Sequence, residues 1–137
     1  MKGRKRHLVV DTLGLLMCVV VHSAGLQDHD KQAVGQVFHR LMLRGWKRLK
    51  VIWADRSYEA TPVLWAKALG NWLLSIVHHQ SKDGFVALPK RWVVERTFAW
   101  LGRYRRLSKD CEYHTYNSEA MIYLAMINLM LHRLKPE

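Results

Sequence analysis

The chain has 137 residues, half of them apolar and six of them Trp, which suits one globular domain with an ordinary core and excludes a disordered segment. Lys and Arg number 22 against 11 acids, a formal charge of +11 that favours a polyphosphate partner while leaving nucleic-acid, ribosomal and membrane-surface binding open. Cys18 and Cys111 stand far apart with no CxxC or Cys/His spacing, which excludes a disulfide framework or zinc site and suits reduced thiols in a cytoplasmic protein.

Lys2, Arg4, Lys5 and Arg6 precede an apolar run from Leu13 to Val21 and the small residues Ser23 and Ala24, an arrangement with the outline of a signal peptide. Asp11 interrupts that outline. Thr12, Leu13 and Gly14 read better as a turn joining two strands, His7 to Asp11 and Leu15 to Val21. Asp28 or Asp30 can then cap a helix running to about Leu43, with Val34, Val37, Phe38 and Leu41 on one face. Gly45 breaks it. Leu49 to Ala54 predicts a short, largely buried strand ending at Asp55. Thr61 to Leu69 predicts a helix, with Pro62 in its first turn and Gly70 at its end, and Trp72 to Val77 a last strand leading to His78 and His79. Neighbouring strand residues point to opposite faces, so these two histidines do not chelate together without a bend. A polar loop, Gln80 to Gly84, follows.

The stretch from about Lys90 to Leu107 has the clearest helical period. Val93, Thr97, Trp100, Tyr104 and Leu107 form one stripe, widened by Val94, Phe98 and Leu101, while Glu95 falls opposite with Arg91, Ala99, Gly102 and Arg106. A final helix, Ser118 to Leu134, is apolar almost all round, which predicts burial or docking on a partner. Its longest apolar run, Ala120 to Ile127, is too short to span a bilayer. The six Trp sit mostly inside apolar patterns and read as core, with Trp92 the best exception. This order of elements predicts an α/β domain with a mixed sheet.

Asp55 at a strand end and Glu95 on a helix suit phosphodiester cleavage, which needs hard divalent cations held by oxygen ligands. Taken singly, each acid has a plainer reading, Asp55 as a turn cap and Glu95 as a partner of Arg91 one turn earlier. Ala99 and Gly102 beside Glu95 would let a DNA backbone approach, and Arg91 and Arg106 on that face could bind its phosphates. Arg96, Arg103 and Arg105 would add sequence-independent affinity.

Four blocks resemble the DDE transposases of bacterial insertion sequence families four and five: KGRKRHLVVDTLGLL (Lys2 to Leu16), WADRSY (Trp53 to Tyr58), LPKRWVVERTFAWLGRYRRLSKDCE (Leu88 to Glu112) and EAMIYLAMINLMLHRL (Glu119 to Leu134). The resemblance covers nearly the whole chain and implies an RNase H-like mixed sheet with flanking helices, with Asp55 as the second catalytic acid and Glu95 as the third. In the signature around the third acid, Arg91 and Glu95 match, Leu88 replaces a Tyr, and Gly102 stands where the family has Lys, with Arg103 beside it. The first acid lies upstream of the KGRKRH block in the family, so the resemblance implies a catalytic domain incomplete at its N-terminus. Its central strand would be missing and two strand edges would be unpaired. Asp11 matches a hairpin aspartate and not that acid.

The resemblance further implies two Mg²⁺ ions, with Mn²⁺ as a substitute, held by Asp55 and Glu95. Its DNA partners are the element ends and the target, contacted by Arg91, Arg103, Arg105, Arg106, Arg56, Lys5 and Arg6, and its location is cytoplasmic and nucleoid-associated. It also implies a homo-oligomer or pairing with an upstream transposase segment, no membrane association, and inactivity of this chain by itself. The rival reading is a non-catalytic DNA-binding protein or one that inhibits the transposase through the final helix.

Overall fold

In a computed structural model, residues 3–24, 29–58, 60–77 and 91–135 are described, apart from the side chains of residues 29–31, 57 and 91. The chain opens with an antiparallel hairpin of β1 (Arg4–Val10) and β2 (Leu16–Ser23), with a register shift between Val9 and Val10. Asp11 is the turn residue expected: its Oδ1 accepts the N–H groups of Leu13 and Leu15, both at 2.9 Å. Gly14 takes a φ of 83°, open to glycine at little cost.

The helix α1 (His29–Arg44) buries Val34, Val37, Phe38 and Leu41, as their spacing predicts, and Ala33 with them. The expected cap Asp28 and the side chain of Asp30 lie outside the described residues. Gly45, at a φ of 64°, ends this helix. Then come β3 (Val51–Asp55), a 3₁₀ turn (Arg56–Tyr58), α2 (Thr61–Gly70) and β4 (Leu73–Val77), with β3 and β4 parallel. Pro62 stands in the first turn of α2, and Asn71 adopts the left-handed conformation after it, its N–H donating to the Lys67 carbonyl at 3.1 Å. Gly70 is required because a Cβ there would lie 2.2 Å from the Trp72 ring. His78, His79 and the loop Gln80 to Gly84 lie outside the described residues.

One expected helix is two. The helix α3 (Arg91–Gly102) closes with the N–H groups of Arg103 and Tyr104 reaching back three residues, to Trp100 at 3.2 Å and Leu101 at 3.1 Å. Tyr104 is extended, and α4 (Arg105–Ser108) starts afresh. Gly102 weakens the helix at this point, and the change of direction still lets Leu107 enter the core. The row of Glu95, Ala99 and Gly102 thus ends with α3, and Arg106 belongs to α4, where it pairs with Glu112. The last helix, α5 (Thr115–Leu134), begins one turn earlier than its apolar pattern suggests and buries Ser118, Ile122, Ala125 and Met126 against β2. Leu124, Ile127 and Leu131 remain exposed along its other side.

The described strands form two two-stranded sheets, β1–β2 and β3–β4, so the α/β class holds. Side chains alternate across each strand, and Cys18, Val20, Ile52, Ala54, Leu74 and Ile76 all enter one core beneath α1 and α2. On the other face, Leu8, Val10, Val19 and Val21 pack with Leu101, Leu107 and Ile122 from α3 to α5. That second layer stops at the hairpin. The face of β3 turned away from α1 is open, so Trp53 is 43% exposed where the apolar run predicts burial. Of the six Trp, Trp72 is buried, while Trp46 after α1, Trp53 on the open face of β3 and Trp92 in the first turn of α3 are exposed.

The outer edge of β2 is closed by side chains. Glu119 Oε1 accepts the Val21 N–H at 3.0 Å, Arg40 Nη1 donates to the Val19 carbonyl at 2.6 Å and Arg44 Nη1 to the Met17 carbonyl at 2.7 Å. On the other side of the hairpin, the backbone groups of Arg6, Leu8 and Val10 point away from β2, because Lys5, His7 and Val9 face it in the alternating ladder. The turn after β3 meets the face of the hairpin that carries His7, Val9 and Val20. The Tyr58 hydroxyl stands 2.8 Å from His7 Nδ1 and His7 Nε2 stands 2.8 Å from His22 Nε2, while His22 Nδ1–H donates to the Ser23 carbonyl at 3.0 Å.

Candidate active site

Asp55 is the last residue of β3, beside Val77 of β4, and is exposed. Ile52 and Ala54 point into the core beneath α1, so Asp55, like Trp53, points to the opposite side. Glu95 lies on α3, which packs against β1 on that same opposite side through Leu101. The orientation of α3 is fixed by Val93, Thr97 and Leu101, all buried, and leaves Glu95, Ala99 and Gly102 facing solvent. Thr97 adds a tether, its hydroxyl donating to the Gly14 carbonyl at 2.7 Å. Both acids thus stand exposed on one side of the strands, carried by different elements.

Among the described residues, no group of three or more His, Cys, Asp or Glu side chains converges.

The basic residues divide into two sets. Lys5, Arg56, Arg103 and Arg105 are exposed. Arg6 is half-buried, with Nη1 and Nη2 donating to the Leu107 carbonyl at 3.2 Å and Nη2 3.8 Å from Asp110. Arg4 reaches the same region, donating to the Ser118 hydroxyl at 2.9 Å and the Tyr113 carbonyl at 2.8 Å. Arg106 pairs with Glu112 at 2.6 Å. Arg4 and Arg6 therefore bind β1 to the segment between α4 and α5. Arg91 heads α3, and its side chain lies outside the described residues.

A further cluster was not singled out by sequence reasoning. Arg96 stacks over Trp92 at 4.5 Å and over Trp100 at 4.8 Å, and Arg133 of α5 covers Trp100 at 4.5 Å. The i, i+4, i+8 spacing of Trp92, Arg96 and Trp100 was a readable signal for the first part. The approach of Arg133 was not.

The family model described as a transposase DDE domain matches residues 1–130. The chain belongs to the DDE transposase family. It is similar to a Burkholderia cepacia protein named, provisionally, as the transposase for insertion sequence element IS402, at 30% identity over 109 residues. That match covers 77% of this chain and 52% of the relative, so the chain spans about half the relative's length. No solved structure gives a significant match. DDE transposases generally use divalent metal ions, and the oxygen donors of Asp55 and Glu95 suit such ions. No helix among the described residues is long and apolar enough to cross a membrane.

Proposed function

We propose that this chain supplies two of the three carboxylates of a transposase active site, Asp55 and Glu95, for metal-dependent cleavage and transfer of DNA strands at the ends of an insertion sequence. The observation that carries this reading is the exposure of both acids on the same side of the strands, one at the end of β3 and one on α3, which packs on β1. Two Mg²⁺ ions are the fitting cofactor, since they activate an attacking oxygen and stabilise the leaving one. In the first step, water forms a bond to a phosphodiester phosphorus while the bond from phosphorus to the 3′ oxygen breaks, leaving a 3′-hydroxyl and a 5′-phosphate. In the second, that 3′-hydroxyl attacks a phosphodiester of the target and releases a 3′-hydroxyl there. Asp55 and Glu95 hold the cations, and Arg91, Arg103, Arg105 and Arg56, with Lys5 at the hairpin, bind the phosphates. Arg6 and Arg106 contribute charge from their internal pairs.

The third acid, in this reading, enters on a strand between β1 and β3 and completes an RNase H-like sheet. Two features support that. The outer edge of β2 is closed by Arg40, Arg44 and Glu119, so the hairpin can extend only from β1. The turn after β3 meets β1 through Tyr58 and His7, above a core that both sheets already share. An inserted strand would be covered by α1 on one face and would carry its carboxylate towards Asp55 on the other.

The test is Mg²⁺-dependent cleavage of DNA carrying the element ends, by this chain, by a version extended upstream, and by extended Asp55→Ala and Glu95→Ala variants. Activity is expected in the extended protein alone and in neither variant. An extended protein that ignores both substitutions would overturn the site. Activity of the 137-residue chain itself would mean that one of its own residues supplies the third carboxylate. DNA binding without cleavage in every version would favour a non-catalytic regulator.

A further inference from the structure

Between the C-terminal half of α3 and the C-terminal half of α5 lies a groove of about 400 Å³, lined by Trp100, Arg103, Tyr104, Asn128, Leu129, His132 and Arg133. Its chemistry is one-sided. It holds two guanidinium groups, an imidazole, an amide and two aromatic rings, with no carboxylate among the lining residues. The acids of the neighbouring segments are engaged elsewhere: Asp110 and Glu112 face Arg4, Arg6 and Arg106, and Glu119 is held by Arg40 at 2.8 Å.

The polar groups are also held in place. The Arg133 guanidinium carbon stands 4.5 Å from the centroid of the Trp100 ring, and Arg96 covers the same ring at 4.8 Å while its Nη2 donates to the Leu13 carbonyl at 2.9 Å. Stacking fixes the plane of a guanidinium and leaves its in-plane N–H groups to form a paired contact with an anion. Asn128 Nδ2 donates to the Tyr104 hydroxyl at 3.0 Å, and His132 Nδ1 donates to the Asn128 carbonyl at 2.8 Å. Cationic donors set beside the Trp100, Tyr104 and Leu129 surface suit a DNA backbone, whose charged phosphates alternate with less polar sugars.

Position on α3 links the groove to Glu95. Glu95 and Ala99 stand one turn apart on the exposed side of α3, and the exposed Arg103, in the tight turn that closes α3 after Gly102, continues the row. The row is about 12 Å long at about 1.5 Å per residue. A DNA strand advances about 3.4 Å per nucleotide, so the row spans about three or four nucleotides. A Cβ at Gly102 would meet nothing within 4 Å, so the approach beside the row is open.

We propose that this groove is a phosphodiester-binding subsite, in which Arg103 and Arg133 grip the backbone of a DNA strand three or four nucleotides from the position held at Glu95. The inference rests on the reading of this chain as a transposase that binds DNA along α3. Arg133, Asn128 and His132 enter the DNA-binding surface through it, on a helix otherwise read as a packing element.

The experiment is fluorescence anisotropy of a short fluorescein-labelled DNA duplex with the full chain, titrated over a range of salt. The proteins compared are the parent, Arg103→Gln, Arg133→Gln, the double variant, and a Lys47→Ala, Lys67→Ala control. That control removes equal charge from exposed positions near α1 and α2. Removing one cation that neutralises a phosphate lowers the slope of log affinity against log salt by about one, so the double variant is expected to drop by about two, and the control far less. A double variant that matches the control would overturn the groove while leaving the transposase reading standing. Arg103→Gln stands outside the Trp100 stack and keeps the test decisive if Arg133→Gln fails to fold, with a fall of about one in slope expected. A folded parent chain that does not bind the duplex at all would overturn the DNA-binding reading itself, and the groove with it.

Discussion

The hydroxyl of Thr97, wholly buried in α3, donates to the carbonyl of Gly14 at the tip of the β1–β2 turn, 2.7 Å away, and also reaches the Val93 carbonyl at 3.1 Å. Residues 83 apart in sequence are thereby locked together two positions from Glu95. The same contact explains Gly14, where a Cβ would stand 3.0 Å from Thr97 Oγ1 and 3.1 Å from the Trp100 ring on a backbone of φ 83°. Thr97→Val keeps the shape and strands the carbonyl, so a loss of about 1–3 kcal/mol is expected in urea unfolding. An unchanged midpoint would show that water or backbone adjustment satisfies Gly14.

Asp55 and Glu95 behave oppositely. Both are exposed, so solvent screens whatever contacts they make, and Asp55→Asn and Glu95→Gln should alter unfolding free energy by no more than about 1 kcal/mol. A large loss of stability in either variant would mark that acid as a structural cap or pair, and would weaken its assignment to the site.

Glu119 is expected to matter for folding. It accepts the Val21 N–H at 3.0 Å and holds Arg40 at 2.8 Å, while Arg40 caps the Val19 carbonyl. Glu119→Ala leaves an edge N–H and a guanidinium without this partner, so a loss of about 1–3 kcal/mol is expected, towards the lower end because Arg40 is about one-third exposed. The opened edge should also raise light scattering on storage through strand pairing. Equal stability and scattering in parent and variant would show that the edge is protected by other means.

The two cysteines should separate cleanly. Burial pushes the Cys18 thiol above its ordinary pKa, outweighing the lowering effect of Arg40 and Arg44, whereas Cys111 is exposed. The thiolate is the reactive form, so raising the pKa leaves Cys18 protonated and inert at neutral pH. Mass spectrometry after iodoacetamide treatment should show one label on Cys111 in the native protein and a second on Cys18 only in denaturant. Labelling of Cys18 in the native state would mean that the core beneath α1 opens readily.

The order of elements and the class of fold were legible because each depends on local periodicity: apolar residues at helical spacing in α1, a turn at Asp11 to Gly14, and a strand that ends at Asp55. Sidedness was legible for Glu95 for the same reason, since Val93, Thr97 and Leu101 fix the opposite face. Local pattern failed at Gly102, where an apolar period continues to Leu107 although the backbone breaks, because a buried Leu looks alike on one helix or two. It failed also at Trp53, whose strand is apolar enough for two covered faces but meets helices on only one.

Charge was the least legible property. The sequence by itself determined that the chain is strongly basic, belongs with DDE transposases, and places an acid at a strand end and another on a helix. Only the tertiary structure decided which cations remain for a partner. Arg4 and Arg6 are drawn to Asp110 and the carbonyls near it, and Arg40 to Glu119, while Arg103 and Arg133 meet across a groove from helices far apart in sequence. An ion pair or stacked ring depends on distances of a few ångströms, which chain folding sets and local spacing does not encode.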